Sequence, residues 1–209
     1  MRFFVYYLVK KLFTTILLSL IALVSISQDK ANDNQLALLY FSQGEYAKAA
    51  QIYQSLYNQT HSQTHFDYLI TCYLEQGENQ KAADITKEQI HRFPKSFYYQ
   101  IKLATIYVRM KQTDDANDIF ERTIKKSSKE LEYCLEAGQA CLDNKVDSIA
   151  QIIYENGQSK FPDNATIAKQ LSEVYLQREE NQKLINTYIT LLRHNNEELE
   201  FVESQLQYT

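Results

Sequence analysis

Apolar residues recur along this chain at helical spacing, and one apolar pattern returns about every 34 residues. Counted from Lys30, Leu36 and Tyr40 stand seventh and eleventh, and Ala49 and Tyr53 stand twentieth and twenty-fourth. Each couple is four apart, the spacing that places two side chains on one face of a helix. Counting again from Gln63, Phe97, Leu131 and Ala165 brings Leu69, Leu103, Ala137 and Leu171 to the seventh place. The eleventh place holds Tyr73, Tyr107, Cys141 and Tyr175. Ala82, Ala116, Ala150 and Leu184 come twentieth, and Thr86, Phe120, Tyr154 and Tyr188 twenty-fourth. Every row therefore predicts two amphipathic helices, with a turn between them at Gly44, Gly77, Lys111, Lys145 and Glu179. Glycine suits a left-handed helix end, so Lys111, Lys145 and Glu179 depart from the ideal turn residue.

Punctuation between rows agrees. Pro94-Lys95-Ser96 and Pro162-Asp163-Asn164 end one helix, and Ser96 and Asn164 are expected to cap the next. Ser127 with Glu130 is expected to form a capping box before the fourth row. Ala49 and Ala50 are placed where two helices cross, and Tyr53 fills the gap toward the following row. Only four glycines and two prolines interrupt 209 residues, which favours helix throughout.

This register resembles the tetratricopeptide repeat (TPR) family. The resemblance rests on the Leu, Tyr, Ala and aromatic positions above, and on a small residue, a turn glycine and a closing proline along 34 residues. The usual tryptophan at the fourth place is Asp33, Phe66, Gln100, Cys134 and Ala168 here. The resemblance implies an all-α fold, a right-handed TPR superhelix of five helix-turn-helix repeats at about 30–62, 63–96, 97–130, 131–164 and 165–196. Residues 197–209 read as a capping helix or the opening of a truncated sixth repeat.

In TPR proteins the first helix of each pair lines a concave groove, so the resemblance implies a protein-binding surface. Mapped onto this chain, that surface takes Asp67 and Thr71 from the second row, and Tyr98, Ile101, Lys102, Thr105 and Arg109 from the third. Gln139 and Glu173 follow from the fourth and fifth. Tyr98 and Arg109 are expected to lie outside the core. The Lys-and-Asn clamp for a C-terminal carboxylate is missing, since the first row offers Asn34 but then Leu38.

Composition and charge narrow the classes. A net charge of −4 gives no electrostatic footprint for nucleic acid. No phosphate loop, nucleophile elbow or other catalytic constellation is present, so the expectation is a non-enzyme with no cofactor and no metal. His61 and His65 are four apart, a metal-binding spacing on one helix, but they fall between two rows and read as exposed loop residues. Asp114-Asp115 and Glu179-Glu180 read as solvated turn charge, and Lys126 as exposed. Asp147-Ser148-Ile149 matches a short O-glycosylation signal of some Gram-negative exported proteins. Three cysteines, Cys72, Cys134 and Cys141, are an odd number that argues against a disulfide framework, so they read as small buried residues.

The amino terminus has a layout of its own. Arg2, Lys10 and Lys11 precede an uncharged, mainly apolar run from Leu12 to Ile26, and Ser25 and Ser27 fit a signal-peptidase site. Residues 1–27 are read as a signal peptide cleaved before Gln28, leaving 19 basic and 26 acidic residues and a net charge of −7. With Gln28 after a small residue, this resembles exported TPR proteins of Bacteroidota. The combined reading is an exported, periplasmic or cell-envelope scaffold that binds a protein or peptide partner. Two alternatives are a structural subunit anchored in the inner membrane by the retained segment, and a regulatory fragment of a longer enzyme or sensor.

Overall fold

The computed structural model describes residues 32–194 and 198–207, and within them every regular element is a helix. The proposed signal segment lies outside these residues. The first helix, α1, covers residues 32–42. It is followed by α2 (Tyr46–Thr60), α3 (Gln63–Glu75), α4 (Asn79–Arg92), α5 (Phe97–Arg109) and α6 (Thr113–Ser127). Then come α7 (Leu131–Asp143), α8 (Asp147–Lys160), α9 (Ala165–Gln177), α10 (Asn181–His194) and α11 (Leu199–Leu206). No helix among the described residues is long and apolar enough to cross a membrane.

Consecutive helices are joined in pairs by one turn used five times. Gly44, Gly77, Lys111, Lys145 and Glu179 all have positive φ, between 57° and 75°. In each turn the next residue's N–H reaches back to the carbonyl of the eleventh-place residue. Glu45 bonds Tyr40, Glu78 bonds Tyr73, Gln112 bonds Tyr107, Val146 bonds Cys141 and Glu180 bonds Tyr175, all within 2.8–2.9 Å. A second, shorter-range bond from the left-handed residue completes a Schellman motif. The turn geometry is thus constant although the glycine is present in only two of its five copies. His61, left-handed at φ 50°, closes α2 against α3 in the same way that a glycine would.

The repeat positions form the core. Ala49, Ala82, Ala116 and Ala150 have no exposed surface, and Leu184 has 4%. Tyr53, Thr86, Phe120, Tyr154 and Tyr188 are all buried behind them. Small residues at the helix crossing let backbones approach, and the large residue one turn later fills the space that results. The chain divides into two compact units, the first ending at Ala82 and the second beginning at Ala83, inside α4. In the first, α2 packs on α3, and buried Tyr53 stacks on Tyr68 with ring centroids 4.8 Å apart. In the second, α5 packs on α6 and α7, α6 on α7 and α8, α8 on α7 and α9, and α9 on α10.

Two glycines outside the turns serve that packing. A Cβ on Gly138 would run into the Tyr154 ring, and one on Gly157 would run into Cys134 Sγ. The α7–α8 crossing is therefore closer than alanine allows. Cys72, Cys134 and Cys141 are buried free thiols. Burial pushes Cys72 and Cys134 up to about 11 and Cys141 up to about 12.

Several local expectations need correction. Asn164 caps α9, accepting from Ile167 N–H at 3.0 Å, but Ser96 makes no side-chain cap bond on α5. No capping box forms at Ser127, which ends α6 and donates instead to the Ile124 carbonyl at 2.9 Å. Lys126 is half-buried, its ammonium 4.7 Å from the Phe97 ring centroid. Leu36, a core position in the other rows, is 41% exposed on α1.

Candidate protein-binding face

The first helices of the pairs carry the residues marked out by the sequence. In the first unit, Asp67 and Thr71 lie four apart on α3, both half-buried. The Thr71 hydroxyl donates to the Asp67 carbonyl at 2.8 Å, which leaves its oxygen as an acceptor. In the second unit, α5 presents Lys102, Thr105 and Arg109, the first two half-buried and the last exposed. The Lys102 ammonium sits 5.3 Å from the Tyr98 ring centroid, and the Thr105 hydroxyl donates to the Lys102 carbonyl at 2.8 Å. Gln139 on α7 is exposed and donates to Asp143 Oδ1 at 2.8 Å. Glu173 is exposed on α9. Because α5 packs against α7, the polar residues of these two first helices stand on neighbouring elements.

Two of the expected surface residues are core. Ile101 has no exposed surface and Tyr98 only 9%. The reason is the opening of α5, where Phe97, Tyr98, Tyr99 and Ile101 widen the apolar face beyond a single stripe. Tyr98 meets Tyr99 edge-on with ring centroids 5.4 Å apart. The residues of this face of α5 that keep exposed surface are Lys102, Thr105 and Arg109, and truncating Tyr98 removes packing, contrary to the expectation that it lies outside the core.

A polar cluster on α8, α9 and α10 was not singled out from the sequence. Glu155 Oε1 accepts from Tyr175 OH at 2.9 Å, from Gln151 Nε2 at 2.9 Å and from Lys183 Nζ at 3.1 Å. Burial pushes the Glu155 carboxyl up, but the three hydrogen bonds together outweigh it and hold the group below the usual carboxylate range. The cluster edges a crevice of about 360 Å³ that Gln158, Asn186 and Thr187 also line. Glu180, read as solvated turn charge, is half-buried and paired with Arg178 at 3.0 Å and Lys183 at 2.9 Å. Asp114 and Asp115 are exposed in the first turn of α6, where the helix dipole favours them.

The signal for one part of this cluster, Tyr175 with Glu180 and Lys183, was present as a spacing. Tyr-x4-Glu-x2-Lys occurs at Tyr40, Glu45 and Lys48, at Tyr73, Glu78 and Lys81, and at Tyr175, Glu180 and Lys183. In each copy the lysine pairs with the glutamate and lies over the tyrosine ring, at 5.1, 4.2 and 5.3 Å from its centroid. The motif ties the end of a first helix to the start of its second. His61 and His65 do not share a helix. His61 ends α2, while His65 lies in α3 with Nδ1 2.8 Å from Thr60 Oγ1, its pKa lowered by burial. Among the described residues no group of three or more His, Cys, Asp or Glu side chains is placed to hold a metal.

A turn repeated five times in one register, with paired helices between, is the architecture that the tetratricopeptide repeat describes. Two stretches of the chain, residues 35–59 and 98–129, match the tetratricopeptide repeat family model. They cover α1 with α2, and α5 with α6. No curated protein matches the chain. Among solved structures, it is similar to a thermophilic TPR protein in Thermus thermophilus, at 15% identity and a TM-score of 0.39, covering 85% of this chain and 97% of that one. It is also similar to a MamA protein, at 13% identity and a TM-score of 0.38, covering 82% and 94%. MamA from Desulfovibrio magneticus aligns at 9% identity and a TM-score of 0.40, covering 79% and 94%. Under the TPR register, Lys102, Thr105 and Arg109 fall within a matched stretch, on its first helix.

Proposed function

We propose that this chain is a TPR scaffold along its whole repeat region, without enzymatic activity, that binds a protein or peptide through the polar face of its first helices. The observation that carries the reading is the pairing of a constant core with a variable face. Turn, crossing and packing positions repeat from row to row, while the first helices of the second unit put Lys102, Thr105, Arg109, Gln139 and Glu173 on half-buried or exposed positions without a shared chemistry. A face that varies on a repeated frame suits recognition of a protein or peptide. The basic start, the apolar run and the small residues before Gln28 support export and a role in a bacterial envelope assembly. Retention of residues 1–27 as a membrane anchor is the second reading.

The test begins with capture of partners by the full chain from an envelope extract, followed by affinity measurement with the partner found. Arg109→Glu combined with Gln139→Ala is expected to weaken that binding at least about tenfold, or about 1.4 kcal/mol. Both residues are exposed, so thermal unfolding is expected to stay where it is. Unchanged affinity removes this face from the account. Intact mass beginning at Gln28 supports export with cleavage, and Met1 recovered in a membrane fraction supports the anchor.

A further inference from the structure

The crevice between α8 and α10 has a cause in the repeat register. Gln158 stands twenty-eighth in its row, a place held by Tyr57, Ile90, Ile124 and Leu192 in the others, so Gln158 alone is polar there. Ala168 stands fourth in the next row, where Phe66 stands in the second. In the first unit these two places meet as buried rings, Tyr57 and Phe66, with centroids 5.6 Å apart. In the second unit they hold an amide and a methyl. Both line the crevice of about 360 Å³, and both also line a second one of about 280 Å³ beside Pro162 and Leu191. Thr190 is common to the two as well, so they adjoin around Ala168. The crevice beside Tyr73 and Lys81 in the first unit is lined on α2 by Gln51 and Gln54, short of Tyr57.

The chemistry of the lining is uneven. Its floor is apolar and comes from α9, where Ala168, Leu171 and Tyr175 are buried. Its walls are rich in acceptors. The hydroxyls of Thr187 and Thr190 donate to the Lys183 and Asn186 carbonyls, both at 2.9 Å, which leaves their oxygens to accept. Gln158 Nε2 donates to the Pro162 carbonyl, and Gln158 Oε1 is buried with no hydrogen-bond partner among the described residues. The carboxylates of Glu155 and Glu180 are already paired with Lys183, so a cation gains little here. The lining suits a neutral donor on an apolar body. A cavity of about 150 Å³ takes a benzene ring, so this volume admits one.

We propose that this crevice binds a tyrosine side chain presented by a protein or peptide, its ring on Ala168 and Leu171 and its hydroxyl donating to the acceptors of the walls. The bound ring takes the space that Tyr57 and Phe66 fill in the first unit. A phenylalanine would cover the same acceptors and offer them no donor, which costs affinity. The site is separate from the polar face of the first helices, because Leu171 and Glu173 lie two residues, or roughly 200°, apart around α9.

Amide NMR spectra of the isotope-labelled full chain, titrated with p-cresol as the free tyrosine side chain, test this. Saturable shifts around Ala168, Thr187 and Thr190 are expected in the millimolar range. Toluene, the phenylalanine side chain, is expected to bind at least about fivefold more weakly, the worth of one hydrogen bond. Ala168→Phe, which restores the residue type of Phe66, is expected to abolish p-cresol binding without lowering the melting temperature, and Ala168→Leu replaces it should that variant unfold. Gln158→Ile combined with Thr190→Val is expected to remove the preference for p-cresol over toluene. Arg109→Glu is expected to leave p-cresol binding unchanged, so the first-helix face and this site are read separately. Absence of saturable shifts, shifts centred outside α8, α9 and α10, or p-cresol binding that survives a filled Ala168 position overturns the site. Toluene binding as tightly as p-cresol overturns the choice of tyrosine, and a preference that persists in the double variant overturns the placing of its hydroxyl.

Discussion

Lys111, Lys145 and Glu179 hold a left-handed backbone that costs a residue with a Cβ about 1–2 kcal/mol. Lys111→Gly, Lys145→Gly and Glu179→Gly should therefore each raise stability in urea melts. A net gain of about 0.5–1 kcal/mol is expected, because glycine also enlarges the unfolded ensemble. Gly44→Ala and Gly77→Ala should go the other way by about 1 kcal/mol, although neither added methyl meets another atom within 4 Å. Gly138 reverses the usual helix rule. In an open helix Gly→Ala gains about 1 kcal/mol. Here the methyl would enter the ring of Tyr154, which is fully buried and cannot swing away, so Gly138→Ala should lose about 1–3 kcal/mol. A gain on Gly138→Ala would mean that α7 and α8 stand further apart than described.

At the scale of elements, the first four pairs cross at a small residue, and the first, second and fifth pairs also carry a lysine–glutamate tie at the turn. Ala116→Leu and Ala150→Leu add methylenes where no surface is exposed and should each cost about 1–3 kcal/mol. Lys125→Leu on the exposed side of α6 should stay within about 0.5 kcal/mol, a fairer control than half-buried Lys126. The Glu155 cluster has a pH signature. Its carboxyl is depressed in the folded state, so its contribution is present above the unfolded glutamate value of about 4.3 and is lost as pH falls through the lower folded value. The stability gap between the parent and Glu155→Gln should narrow on acidification through that window. A gap that does not change with pH would show that the carboxylate charge contributes nothing to the junction. Helix pairs and crossing residues were legible in the sequence because burial leaves a period in residue type. All five turns were legible from the register, but residue type marks only those at Gly44 and Gly77, since Lys111, Lys145 and Glu179 take the same backbone under constraint from both flanking helices. Tyr98 and Ile101 were misplaced because a register assigns each position one role, while the aromatic run at Phe97–Tyr99 widens the buried face. Glu155 and Lys183 were invisible as a pair because they lie 28 residues apart and meet only when α8, α9 and α10 are packed.

For the molecule as a whole, contacts run mainly between successive helices, so stability should be a sum over neighbours rather than one indivisible quantity. Hydrogen exchange read by mass spectrometry makes this visible. Gly77→Ala should speed exchange around α3 and the start of α4, and Gly138→Ala around α7 and α8, each leaving the other region near its parent rates. Acceleration spread evenly along the chain in both variants would show a single cooperative unit instead.

The three buried thiols give this chain a built-in stopwatch. A thiolate is the reactive form, and the raised pKa values of Cys72, Cys134 and Cys141 keep almost none of it at neutral pH while the helices are closed. Alkylation therefore waits for an opening event and records when it happens. Cys72 keeps time for the first compact unit, and Cys134 and Cys141 for the second. A pulse of reagent followed by peptide mapping would date each opening on the native protein, with no label introduced and no residue replaced.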